Sequence, residues 1–88
     1  MPLYVRTLLI TATPADVEDV APRHLDHLRQ LAGQGKLRAA GALGGNDGYL
    51  EIFEAADRLE AESIARESPL IVEGLATWML REWHEMKL

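Results

Sequence analysis

Cysteine is absent from this chain of 88 residues, which excludes disulfide stapling, thiolate catalysis, thiolate zinc sites and iron–sulfur clusters. A basic excess is missing too, since 9 Lys and Arg stand against 14 Asp and Glu for a formal net charge of -5. Nucleic-acid binding draws much of its affinity from a basic face that neutralises phosphates, so no nucleic-acid partner is expected. The opening Met1-Pro2-Leu3-Tyr4-Val5-Arg6 lacks the basic start of a signal peptide, and the apolar run is interrupted by Arg6, Thr7 and Thr11. No stretch approaches the roughly 20 apolar residues of a membrane span. Repeats, linkers and low-complexity segments are lacking as well. The expectation is a cytoplasmic protein with no membrane partner.

What is present fits one domain over residues 1–88. A chain of this length buries only a little over ~60% of its unfolded surface, so a second subunit is a natural supplement to its thin core. Leu3 to Thr11 mixes β-branched and aromatic residues with Leu over too short a run for a typical helix, and reads as a strand. Thr13-Pro14 with Asp16 opens a helical segment, and Ala21-Pro22 opens or kinks it again, because proline deep inside a helix costs ~3 kcal/mol or more. His24, Leu25, Leu28, Leu31 and Ala32 form the apolar stripe of that helix, which Gly33 and Gly35 end.

Leu37 to Leu43 and Tyr49 to Glu54 read as two strands of a hairpin joined through Gly44-Gly45-Asn46-Asp47-Gly48. That glycine run lacks the Gly-Lys-Ser/Thr ending of a phosphate loop and precedes a strand, so no nucleotide site is indicated. Asp57 with Glu60 caps a second helix whose buried face is Ala61, Ile64, Ala65 and Ser68. Pro69 turns the chain out at Ser68, and a final strand runs from about Ala76 to His84. The resulting β-α-β-β-α-β order is the ferredoxin-like α+β pattern, a four-stranded antiparallel sheet with both helices on one face. Its other face would carry large apolar residues, which predicts a homodimer through the open sheet.

His24 is the most informative polar residue, since an imidazole on an apolar stripe is either a satisfied core histidine or a working acid/base. His27 is expected at the helix edge, in water. His24 and His27 lie three residues apart, without the four-residue spacing of zinc helices, and Asp26 or Glu67 makes no obvious third ligand, so no metal site is assigned. Arg6, Arg23 and Arg81 are candidates for binding an acidic substrate. The competing reading for Arg6 and Arg81, each inside an apolar strand, is ion pairing at the dimer seam. Tyr4, Tyr49, Phe53, Trp78 and Trp83 read as core or dimer-interface aromatics rather than a ligand cage.

Several pieces resemble one family: Arg23-His24-Leu25 followed by Leu28 and Leu31, Gly35-x-Leu37 leading to Ala40-Gly41, Gly48 opening a strand that ends in Phe53-Glu54-Ala55, and Ser68-Pro69 with Gly74 before the last strand. In this order and spacing they resemble the YCII-related (YciI-like) proteins of the dimeric α+β barrel superfamily. The resemblance implies a ferredoxin-like subunit that dimerises through its sheet and has a small cleft near the start of the first helix. It also implies that His24 is the hallmark polar residue of that cleft, partnered in the family by an aspartate that precedes proline. The best-defined activity of the family is the dehydrochlorination of a chlorinated hydroxyquinol. Related barrels include muconolactone isomerases and small monooxygenases.

This chain has Ser68-Pro69 where the family has Asp-Pro, and a hydroxyl orients an imidazole without bringing a charge to stabilise its protonated form. Two functions therefore stand side by side. In the first, the protein binds a small organic molecule, cyclic or aromatic and acidic, beside His24 and catalyses a cofactor-independent lyase or isomerase proton transfer with His24 and Ser68 as catalytic pair. In the second, it is a non-catalytic dimeric binding or accessory module in which the His-Asp pair is lost.

Overall fold

The computed structural model describes residues 1–88. The elements follow as β1 (Leu3–Ile10), α1 (Pro14–Val17), α2 (Ala21–Gly33), β2 (Leu37–Ala42), β3 (Gly48–Glu54), α3 (Arg58–Arg66), α4 (Pro69–Val72) and β4 (Ala76–Trp83). All strand pairs are antiparallel, in the order β2-β3-β1-β4. This is the ferredoxin-like arrangement, with each long helix followed or preceded by one short helical turn.

Local chemistry sets the boundaries. The Thr13 hydroxyl accepts the Asp16 N–H at 3.3 Å while the Asp16 carboxylate accepts the Thr13 N–H at 3.4 Å, a capping box that starts α1. Pro22 sits in the first turn of α2, where its missing N–H costs nothing. Gly35, at φ +73°, ends that helix in the left-handed conformation, and the Lys36 N–H donates back to the Leu31 carbonyl at 2.9 Å. Asp57 caps α3 by accepting the Glu60 N–H at 2.9 Å.

The strand register decides which side chains meet under the helices. Tyr4 pairs with Phe53, Arg6 with Glu51 and Leu8 with Tyr49 across β1 and β3, while Arg6 pairs with Leu80 and Leu8 with Trp78 across β1 and β4. These residues share the helix-facing side of the sheet, because side chains alternate along a strand. Tyr4, Leu31, Phe53, Ala55, Ala61, Ile64, Ala65 and Leu80 form the main core, and Val17, Val20 and Leu70 form a smaller one under α1 and α4. Only 19 of the 88 residues are buried, and the opposite sheet face presents Val5, Leu9, Ile52, Met79 and Trp83, of which Leu9, Met79 and Trp83 are exposed.

Helix α2 is rotated relative to the stripe read from the sequence. Its buried face is His24, His27, Leu28 and Leu31, while Leu25 is 40% exposed. His27 is therefore not at a wet edge. The cause is Arg6 beneath the helix, whose guanidinium approaches the His27 ring at 3.2 Å and draws that face of α2 onto the sheet. Ser68 differs as well: rather than only ending α3, it caps α4, its Oγ accepting the Leu70 N–H at 3.3 Å. No helix is long and apolar enough to cross a membrane.

Candidate functional site

Five polar side chains, Arg6, His24, His27, Glu51 and Ser68, are buried together between the sheet and the helices, and all but His27 have no exposed surface. Burial of so many polar groups is tolerable only when they satisfy one another. Glu51 on β3 stands at the centre. Its Oε1 accepts from Arg6 Nε at 2.8 Å and its Oε2 lies 3.0 Å from His24 Nε2. The other imidazole nitrogen, His24 Nδ1, lies 2.7 Å from Ser68 Oγ. Arg6 also donates to the Ala65 carbonyl at 2.9 Å, and only its second terminal nitrogen lacks a protein partner.

The partners assign the protons. An ionised Glu51 only accepts, so His24 Nε2 carries the hydrogen; Ser68 Oγ already receives the Leu70 N–H, leaving its hydroxyl free to donate to Nδ1. The sequence Ser68–His24–Glu51 is thus hydroxyl, imidazole and carboxylate in line. Burial alone would raise the Glu51 carboxyl, but the hydrogen bond from His24 and the charge of Arg6 outweigh it and hold the group below the usual carboxylate range. His27 is driven the other way from its normal basicity: burial, then the nearby Arg6 charge, then His24 lower its pKa from 6.5 to about 4, against a weaker pull from Glu51. A neutral His27 takes the Arg6 N–H on its Nε2 lone pair.

An open cleft of about 720 Å³ lies next to this cluster, between α1, the start of α2 and the hairpin turn. Its walls include Ile10, Ala12, Val17 and Ala21, with Glu18 and Asp47 supplying carboxylates and Tyr49 an aromatic ring. The Tyr49 ring centroid is 4.7 Å from that of His24, so one phenol ring touches both the cleft and the buried imidazole. His24 itself does not line the cleft.

The residues singled out from sequence are distributed unequally. His24 and Ser68 are in hydrogen-bond contact, as their positions on two helix ends packed over one sheet allow. Arg6 is sealed in the same cluster and pairs within its own subunit, on the helix side of the sheet rather than at an open-face seam. Arg23 is on the surface and pairs with Glu73. Arg81 is exposed on the opposite sheet face, across from Val5. Glu51 was not singled out, and His27, expected at the helix edge in water, is buried beside Arg6. The signal for Glu51 was present: in Tyr49-Leu50-Glu51-Ile52-Phe53 it alternates onto the face of Tyr49 and Phe53, as Arg6 alternates onto that of Tyr4 and Leu8, so two opposite charges occupy otherwise apolar faces. The carboxylate that Ser68 does not supply reaches His24 from β3 instead.

Solved structures share the fold. One is 5-chloro-2-hydroxyhydroquinone dehydrochlorinase (TftG) from Burkholderia phenoliruptrix in complex with 2,5-dihydroxybenzoquinone, with a TM-score of 0.79 and 21% identity over 96% of this chain and 95% of that one. Another is SnoaB, a cofactor-independent oxygenase from Streptomyces nogalater, with a TM-score of 0.57 and 13% identity over 99% of this chain and 94% of that one. No curated protein matches the sequence. The YCII-related domain profile matches residues 5–84, so the order of motifs, the ferredoxin-like topology and the buried histidine belong to a member of the YCII-related family.

Proposed function

We propose that this protein binds a small cyclic organic molecule in the cleft beside α1, stacked or edged against Tyr49. The observation that carries this reading is the position of Tyr49, which forms the wall between a cleft of about 720 Å³ and the ring of His24. That volume falls within the range of small-molecule sites, and the mixture of apolar walls with a few polar groups is typical of them. The structural neighbour TftG holds a six-membered ring compound and acts on another, which supports a ligand of this class.

Binding is favoured over turnover by the state of His24. Both of its ring nitrogens are engaged, and it has no surface open to a substrate. The cofactor-independent lyase or isomerase reading draws on the Ser68–His24–Glu51 line. There His24 would accept a proton at Nδ1 once Tyr49 and Ser68 give way, and Glu51 would stabilise the imidazolium. In that reading Ser68 orients the ring, and Arg6 acts through Glu51 rather than on the substrate. A second copy of the chain covers the apolar sheet face in either case.

Titration with hydroquinone, followed by calorimetry, tests the binding reading. Binding that weakens at least about tenfold in Tyr49→Ala supports a ring compound seated against that phenol. Equal affinity in wild type and Tyr49→Ala would remove the cleft from consideration.

A further inference from the structure

We infer that the cleft selects neutral or cationic ring compounds and rejects carboxylated ones, a specificity set by Glu18 and Asp47. The inference rests on the binding function proposed above and names the charge class of its ligand. Among the 11 lining residues there is no Lys, Arg or His, and the only ionisable groups besides the Tyr49 phenol are these two acids. The three arginines with any claim on an anion are all committed or remote. Arg6 is fully enclosed and paired with Glu51, Arg23 is paired with Glu73, and Arg81 lies on the opposite face of the sheet.

An anion entering the cleft would leave water, approach two carboxylates and find no counter-charge. The formal net charge of -5 adds repulsion at longer range. A ligand with an ammonium group reverses both effects, its ring against Tyr49 and apolar walls and its charge toward Glu18 or Asp47. The remaining polar partner, Asn46, is neutral and serves either class. The acidic substrate expected from the arginines in the sequence is therefore the wrong charge class for this cleft.

Three ligands of similar size test this: benzylamine, benzyl alcohol and benzoate, titrated into the intact protein at low salt. The expected order is benzylamine ahead of benzyl alcohol and benzoate last, with benzylamine and benzoate at least about tenfold apart, because attraction of the one and repulsion of the other add. In the Glu18→Gln, Asp47→Asn double variant that gap should close, and a gap that persists there overturns the assignment to these two acids. Benzoate binding as tightly as benzylamine in wild type overturns the charge selection and leaves the cleft reading intact. Failure of all three to bind, or equal affinities in Tyr49→Ala, overturns the binding function itself and the selection with it.

Discussion

Glu51 holds the buried cluster together because it alone reaches both the guanidinium of Arg6 and the imidazole of His24. Changing it to Gln leaves the shape but strands a buried positive charge, and breaking such a pair costs about 3 kcal/mol or more. Urea denaturation of Glu51→Gln should show this loss, and a double variant with Arg6→Met should recover part of it, since the stranded charge is then gone. His27 makes a separate, pH-dependent contribution. Its folded pKa, about 4, lies below the unfolded value of 6.5, so the unfolded chain binds the proton first and stability falls as pH drops from 6.5 toward 4. The slope attributable to one such proton is about 1.4 kcal/mol per pH unit, and His27→Gln should remove it. Glu51 acts in a lower window, its contribution present above the ordinary carboxylate pKa and lost as pH falls through its depressed folded value.

At the level of elements, much was legible because local rules agreed with one another. The Thr13 and Asp57 caps, the prolines at helix starts and the glycine-rich turn all mark boundaries that the backbone obeys. The rotation of α2 was not legible from its own sequence, since Leu25 and His27 compete for the buried face and the choice is made by Arg6 on another element. The alternation that buries Glu51 could be read in the sequence, but its pairing with Arg6 could not, because register is a property of the sheet. Two predictions follow from the elements themselves. Asp57→Ala should cost about 1 kcal/mol through the lost cap of α3. Gly48→Ala should cost about 2 kcal/mol or more, because a Cβ there would lie 2.2 Å from the Leu8 carbonyl oxygen and force β1 and β3 apart at the end next to the cleft. Thermal unfolding of the two variants measures both.

For the whole molecule, the apolar sheet face and the cleft lie on opposite sides, which keeps the surface of the proposed assembly apart from the proposed binding site. Ile52 faces the open side of the sheet, where a lysine would have to be buried or would force two copies apart. Sedimentation should show a dimer for wild type and a monomer for Ile52→Lys, and a wild-type monomer at micromolar concentration would contradict pairing through this face. The central claim concerns the other side, that a ring-shaped ligand sits against Tyr49 in the cleft between α1 and the hairpin turn. Its most direct test is a backbone amide NMR titration with hydroquinone. The expected result is concentration-dependent shifts gathered at Ala12, Ala15, Asn46 and Tyr49, with the open-face strand residues unmoved. Shifts confined to the open sheet face, or none at millimolar ligand, would contradict it.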